Sequence, residues 1–334
     1  MNSAAPDGIT PTWTPGERGL LGLVAELAPS VHNTLPWRVV CADDTRTLSL
    51  LERRDRALPR HDPHGRDRLI SCGAALTNLR LALRVLGWVP EIRLLPDPAA
   101  PDVVARVVAR DRGDPVDEDV ARYLAMSYRR SHRAPFLETP VGDATVRHLA
   151  AHGVDGVEIR RLDGELDAAV LAKLLSHSAA VLRLDSAYQR ELNAWTADDE
   201  HPVAGAGVAV LPRRDAALPW AGLVRRSTAV PDRAILADRL ARECLLLVET
   251  ADDGPLDHVR AGMAMEEMWL AAIGAGLACA VLTQPLQVPE VRAGLVEALS
   301  LNGFPQVLCR LGYPPAVSGA TWPTSGREAS WHER

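Results

Sequence analysis

Two short stretches carry more chemistry than their places in the chain require. The first is Ala28-Pro29-Ser30-Val31-His32-Asn33-Thr34-Leu35-Pro36-Trp37-Arg38. Ser30, His32 and Asn33 offer donors and acceptors, and Trp37 offers a flat ring. The second is Tyr128-Arg129-Arg130-Ser131-His132-Arg133-Ala134-Pro135-Phe136. Guanidinium forks bind phosphate oxygens in pairs and a serine hydroxyl adds a neutral donor, so Arg129, Arg130, Ser131 and Arg133 suit a phosphate. Each stretch also has a plain reading. The first could be a turn that caps a helix, and the second a solvated basic helix end, where cations suit the macrodipole.

Other clusters are thinner. His61-Asp62-Pro63-His64 could hold a metal, but a proline interrupts it and no third ligand is evident, so it reads as a surface loop. Gly274 to Cys279 mimics part of a dinucleotide fingerprint but closes a helix rather than opening one. Glu266-Glu267 could include an acid or base, or one of them could face solvent or pair with an arginine. Trp195 and Trp220 could cover a flat ligand or pack in a core.

The elements that must position these residues follow from periodicity. Leu20 to Leu27 is a short helical run, and proline at 29 disfavours helical geometry at Ala28, so the helix stops there. Arg38 to Cys41 then reads as a strand, and Val39-Val40 with Leu48-Ser49-Leu50 read as a hairpin around Asp43-Asp44. Helical spacing predicts two long helices over 69–87 and 258–276. They align at a constant offset that places Gly73 on Gly262, Ala75 on Ala264, Leu81 on Leu270 and Gly87 on Gly276. Each ends at a glycine, a usual helix stop, and a strand-like run follows. This is a faint internal repeat. Further strands are expected at Val103 to Val108, Val157 to Leu162 and 304–313. Leu245 to Val248 is a continuous apolar run, expected to be a central strand buried on both faces. The fold class is therefore α+β with two similar halves. Residues 1–16 read as a flexible lead-in. Residues 17–115 form the first half and 116–334 the second, with a lid-like irregular segment at 198–232 and an extended tail at 314–334.

Composition narrows the function. A net charge of -6 argues against nucleic acid as a partner. No apolar run approaches the roughly 20 residues that span a bilayer, so no membrane is expected. The five cysteines are scattered, with no CxxC pair, and read as buried thiols of a reducing cytoplasm. There is no GxSxG and no P-loop.

With these residues in view, APSVHNTLPWR resembles the APSxHNxQPW signature of the nitroreductase superfamily, and YRRSHRAPF resembles its RRS-x-R phosphate motif. The order of the motifs, their single occurrence and the repeat resemble the Acg-like subfamily of actinobacteria. So do LTQPLQVPEVR at 282–292 and the ending PQVLCRLGYPP. The resemblance implies a nitroreductase-like fold in which two halves of one chain mimic a homodimer and hold a single flavin mononucleotide (FMN). It implies that Arg129, Arg130, Ser131 and Arg133 bind the FMN phosphate, and that Pro29, Ser30, Val31, His32 and Asn33 contact the flavin from the other half. Pro285, Leu286 and Gln287 match the segment that lies along the flavin ring near N5, and 198–232 matches a lid. Three positions depart from the pattern. Leu35 replaces a common glutamine and Gln287 a usual glutamate, and only Arg327 remains of a C-terminal arginine pair. The implied activity is FMN-dependent oxidoreduction, with NAD(P)H as co-substrate and a small organic acceptor. The implied alternative is a protein that stores FMN with little turnover. A monomer or weak homodimer is expected.

Overall fold

The computed structural model describes residues 12–133, 135–197, 208–209, 224–228 and 232–315. Helix α1 spans Pro15–Glu26, and a capping box of Thr14 and Glu17 starts it. Strands β1 (Trp37–Cys41) and β2 (Thr47–Glu52) form the expected hairpin. Helix α2 (Arg66–Val85), β3 (Trp88–Leu94) and β4 (Val103–Arg112) complete the first half of the pattern. Then come α3 (Asp117–Ala125), α4 (Asp143–Ala150), β5 (Val157–Leu162), α5 (Gly164–Leu184), α6 (Ser186–Ala194), and the short pair β6 (Thr196–Ala197) and β7 (Val208–Ala209). The chain continues through α7 (Arg233–Ala241), β8 (Cys244–Thr250), α8 (Pro255–Gly274), β9 (Ala278–Leu282), α9 (Pro289–Ala298) and β10 (Phe304–Gly312).

The duplication shows in the topology. One four-stranded sheet has the order β1-β2-β4-β3 and the other β5-β8-β10-β9, antiparallel throughout. In each sheet a long helix, α2 or α8, enters the chain between the second and third strands in sequence. These two helices cross at their aligned glycines. A Cβ on Gly73 would lie 2.0 Å from the Val259 carbonyl oxygen, and one on Gly262 would lie 1.9 Å from that of Ile70. Ile70 aligns with Val259 at the same offset that aligns the glycines. The contact is therefore isologous, as across a two-fold axis in a symmetric dimer, but it lies within one chain.

Period-two alternation splits the second sheet between two cores. Leu246 and Val248 of β8, with Val307, Cys309 and Leu311 of β10, face a core shared with α1, α2, α8 and the first sheet. Leu245 and Leu247, with Leu308, face a second core built with α5, α6, α7 and α9. This is why β8 is apolar without interruption. The five cysteines are free; three are buried, and Cys41 and Cys244 are half-buried.

Two expectations change. Residues 12–16 are not a loose lead-in: Trp13 is buried and its indole donates to the Thr47 carbonyl oxygen. Helix α2 begins at Arg66, three residues before the apolar pattern, because Arg66 and Asp67 are buried as a pair rather than solvated.

Candidate functional site

The loop after α1 turns sharply. Val31–Asn33 make a single 3-10 turn in which His32 and Asn33 have left-handed φ of 46° and 52°, and Leu35 follows at 49°. Left-handed geometry costs an ordinary L-residue roughly 1–2 kcal/mol, so this loop stores strain. Its own side chains brace it: Ser30 Oγ accepts from the Leu35 N–H (3.1 Å), and Thr34 Oγ donates to the Val31 carbonyl (2.9 Å). The Val31 N–H donates to Ser71 Oγ (3.1 Å), whose hydroxyl donates to the Asp67 carbonyl (2.6 Å). Pro29, Ser30 and Val31 are half-buried, His32 is buried and Asn33 exposed. Trp37, expected as a flat ring for a ligand, is instead buried in the core at the start of β1.

The arginine stretch follows α3 and lies along the free edge of β9. Ser131 pairs with Cys279, and the His132 N–H donates to the Cys279 carbonyl (2.8 Å). The three arginines separate. Arg129 points inward: its Nε donates to the Leu27 carbonyl (3.2 Å), and its guanidinium lies 4.7 Å from the Trp269 ring centre. Arg129 also stands 3.9 Å from Glu266, which is wholly buried in α8 with no hydrogen-bond partner for its carboxyl among the described residues. Burial pushes that carboxyl up to about 8, against the pull of Arg129. Glu267, its neighbour, bridges Arg80 and Arg122. Arg130, Ser131 and Arg133 are exposed. Arg130 leans on the carbonyls of Ser127 and Arg129 (3.2 and 2.6 Å), and neither it nor Arg133 has a carboxylate partner among the described residues. Burial holds the His32 imidazole well below its usual range, and the charges of His61 and Arg133 push the same way, with Asp67 opposing.

The third stretch joins the same place. Gln287 Nε2 donates to Asp62 Oδ1 (3.2 Å), while Pro285 and Leu286 are buried against the second core. The segment expected as a surface loop is so only in part: Pro63 and His64 are exposed. His61 and Asp62 are buried, and no group that could hold a metal occurs among the described residues. His61 Nε2 donates to Asp67 Oδ2 (3.0 Å), and Arg66 donates to Asp67 Oδ1 (3.0 Å) and to the Thr283 carbonyl (3.1 Å). Burial alone would raise Asp67, but Arg66 and His61 hold it well below the usual carboxylate range. His61, Arg66 and Asp67 are the residues that the motifs did not mark. His61 stands in the His61–His64 cluster, and Arg66-Asp67 is a polar pair directly before a long apolar helix. Trp195 lies with the Arg56 guanidinium 5.9 Å from its ring centre. Arg327, Trp220 and most of 198–232 and of the tail lie outside the described residues. Val224, within the lid-like segment, is buried in the second core.

No family model matches the chain. Relatives do. A Mycobacterium tuberculosis protein named "Putative NAD(P)H nitroreductase Rv3131" is 33% identical over 337 aligned positions, covering 99% of this chain and 92% of the relative. From the same organism, "Putative NAD(P)H nitroreductase acg" is 28% identical over 308 positions, covering 87% of each chain. The solved FMN-dependent nitroreductase NfnB from Mycobacterium smegmatis, in complex with NADPH, is 17% identical, with 63% of this chain and 96% of that one covered. Its TM-score is 0.38, too loose a likeness to add to the sequence match. On the identity and coverage of the first of these relatives, the chain belongs to the NAD(P)H nitroreductase family.

Proposed function

We propose that this chain is an FMN-dependent oxidoreductase that holds one FMN between residues 17–115 and 116–334 and passes a hydride from NAD(P)H to a small organic acceptor. One observation carries the reading. Arg130, Ser131 and Arg133 are exposed, their motif is tied to the start of the 28–35 loop by the Arg129–Leu27 hydrogen bond, and no carboxylate neutralises Arg130 or Arg133 among the described residues. Two guanidiniums without a carboxylate and a hydroxyl fit a phosphate dianion. When bound, FMN supplies hydride acceptance and donation at its N5. The protein's part is placement. Arg130 and Arg133 hold the phosphate, and Arg129 ties the motif to Leu27 and so to the loop. Pro29 to Asn33 and Pro285 to Gln287 flank the ring. Arg327 would add a further phosphate contact. No side chain needs to act as a strong acid, since the cofactor carries the redox chemistry.

The test is direct. The purified chain should bind one FMN. Replacing Arg130 and Arg133 by alanine should weaken binding by about 1.5–3 kcal/mol for each lost charge-assisted contact. Anaerobic NADH or NADPH should bleach the bound flavin. A chain that takes up no FMN would overturn the whole reading. A chain that holds FMN but is bleached by neither donor would overturn the oxidoreductase half and leave storage.

A further inference from the structure

The strained loop at 30–35 is also met from outside, by His61 of the segment between β2 and α2 and by Ser71 of α2. His61 is fixed from every side. Its backbone N–H and that of Arg60 donate to the Glu191 carboxylate of α6 (2.7 and 3.0 Å), and its ring lies 6.2 Å from that of Tyr188. Its Nε2 is committed to Asp67. Asp67 is ionised and can only accept, so His61 Nε2 carries a proton toward it, and Nδ1 is the ring's other nitrogen. That atom is buried without a partner among the described residues, as is His32 Nε2. The two rings meet edge-on, their centres 4.5 Å apart. Asp67 also holds Ser71 through its carbonyl, and Ser71 holds Val31. On the other side Arg66 and Asp62 reach Thr283 and Gln287. The side chains of Gln284, between those two, have no partner either.

We propose that Asp67 and His61 are positioning residues of the cofactor site, locking the His32 loop of one half to the 283–287 segment of the other. The proposal rests on the FMN reading above. Neither residue comes from the motifs that flank the flavin. They act through His32, Val31 and Arg66, in the way that supporting shells fix the groups that touch a ligand.

The experiment compares His61→Phe with His61→Gln in FMN titrations followed by absorbance. Phenylalanine keeps a ring but no donor to Asp67, whereas glutamine keeps a donor. H61F should bind FMN about tenfold or more weakly, the scale of a lost hydrogen bond to a charged group, and should shift the visible bands of the bound flavin. H61Q should stay within about threefold of wild type. A brace that served folding alone would lower thermal stability and leave the bands of bound FMN in place. If H61F does not fold, Asp67→Asn and Ser71→Ala carry the same comparison with smaller cuts. H61F with wild-type affinity and unmoved bands overturns the proposal. A wild-type chain that takes up no FMN overturns the FMN reading and this inference with it. A chain that binds FMN and loses it in the Arg130/Arg133 double variant, but not in H61F, overturns this inference alone.

Discussion

Alanine at Gly73 sets two physical effects against each other. Within α2 the change should help, because alanine stabilises a helix interior by about 1 kcal/mol over glycine. At the crossing with α8 it should harm. The new Cβ would lie 2.0 Å from the Val259 carbonyl oxygen and 3.0 Å from Gly262 Cα. A carbon and a carbonyl oxygen normally approach to about 3.3 Å, so the helices would have to part by roughly 1 Å or more. Both obstacles are backbone atoms and cannot rotate away. Parting the helices forfeits dispersion along the whole α2–α8 contact, and overpacking of this kind costs about 1–3 kcal/mol, occasionally more. We expect a net loss of up to about 2 kcal/mol in Gly73→Ala, the overpacking cost exceeding the helix gain. Gly19→Ala in α1 is the control, because a Cβ there meets nothing within 4 Å. The same substitution should there stabilise by up to about 1 kcal/mol. Denaturant midpoints of the two variants should therefore move in opposite directions. A rise in both would refute the close crossing.

Glu266→Gln tests the buried carboxyl. Between 4.5 and about 8 the folded chain keeps a proton that the unfolded chain releases, so stability falls as pH rises through that window. The full loss is about 4–5 kcal/mol, and the glutamine variant should lack it, so its advantage in denaturant titrations should grow from pH 5 to pH 8. Equal pH slopes for the two proteins would refute the assignment. At Ser300, φ is 48° just past α9, and the Leu301 N–H donates back to the Val296 carbonyl. Glycine is the usual residue at this capping position, so Ser300→Gly should stabilise by about 1 kcal/mol. A lowered melting temperature would contradict that.

Local pattern was enough for much of the architecture. Gly87 and Gly276 do end the long helices, with φ of 78° and 77°. The hairpin at 37–52 and the central β8 followed from turn residues and an unbroken apolar run. Misreadings arose where polar residues are satisfied by partners far away in the chain. His61 and Asp62 looked like surface residues because Asp67, Gln287 and Glu191, which satisfy them, are not visible in a local window. Three consecutive-looking arginines looked alike. Only the packing of Leu27 and Trp269 distinguishes Arg129, which turns inward, from Arg130 and Arg133. Likewise nothing local tells Glu266, buried with only the distant pull of Arg129 on it, from Glu267, held by two arginines.

The isologous crossing of α2 and α8 has a consequence for dilution. In a pair of separate subunits such a contact forms only above their dissociation constant, and any site shared across it empties as the protein is diluted. Here the two partners are tethered, and their effective concentration is fixed by the chain rather than by dilution. The α2–α8 contact therefore persists at any protein concentration. The tether also lifts the requirement that both faces be the same sequence. Thr77 stands where α8 carries Glu266, and Arg80 where it carries Trp269. On α8 Trp269 and Glu266 face Arg129, whereas on α2 Arg80 pairs with Asp119 and Glu267.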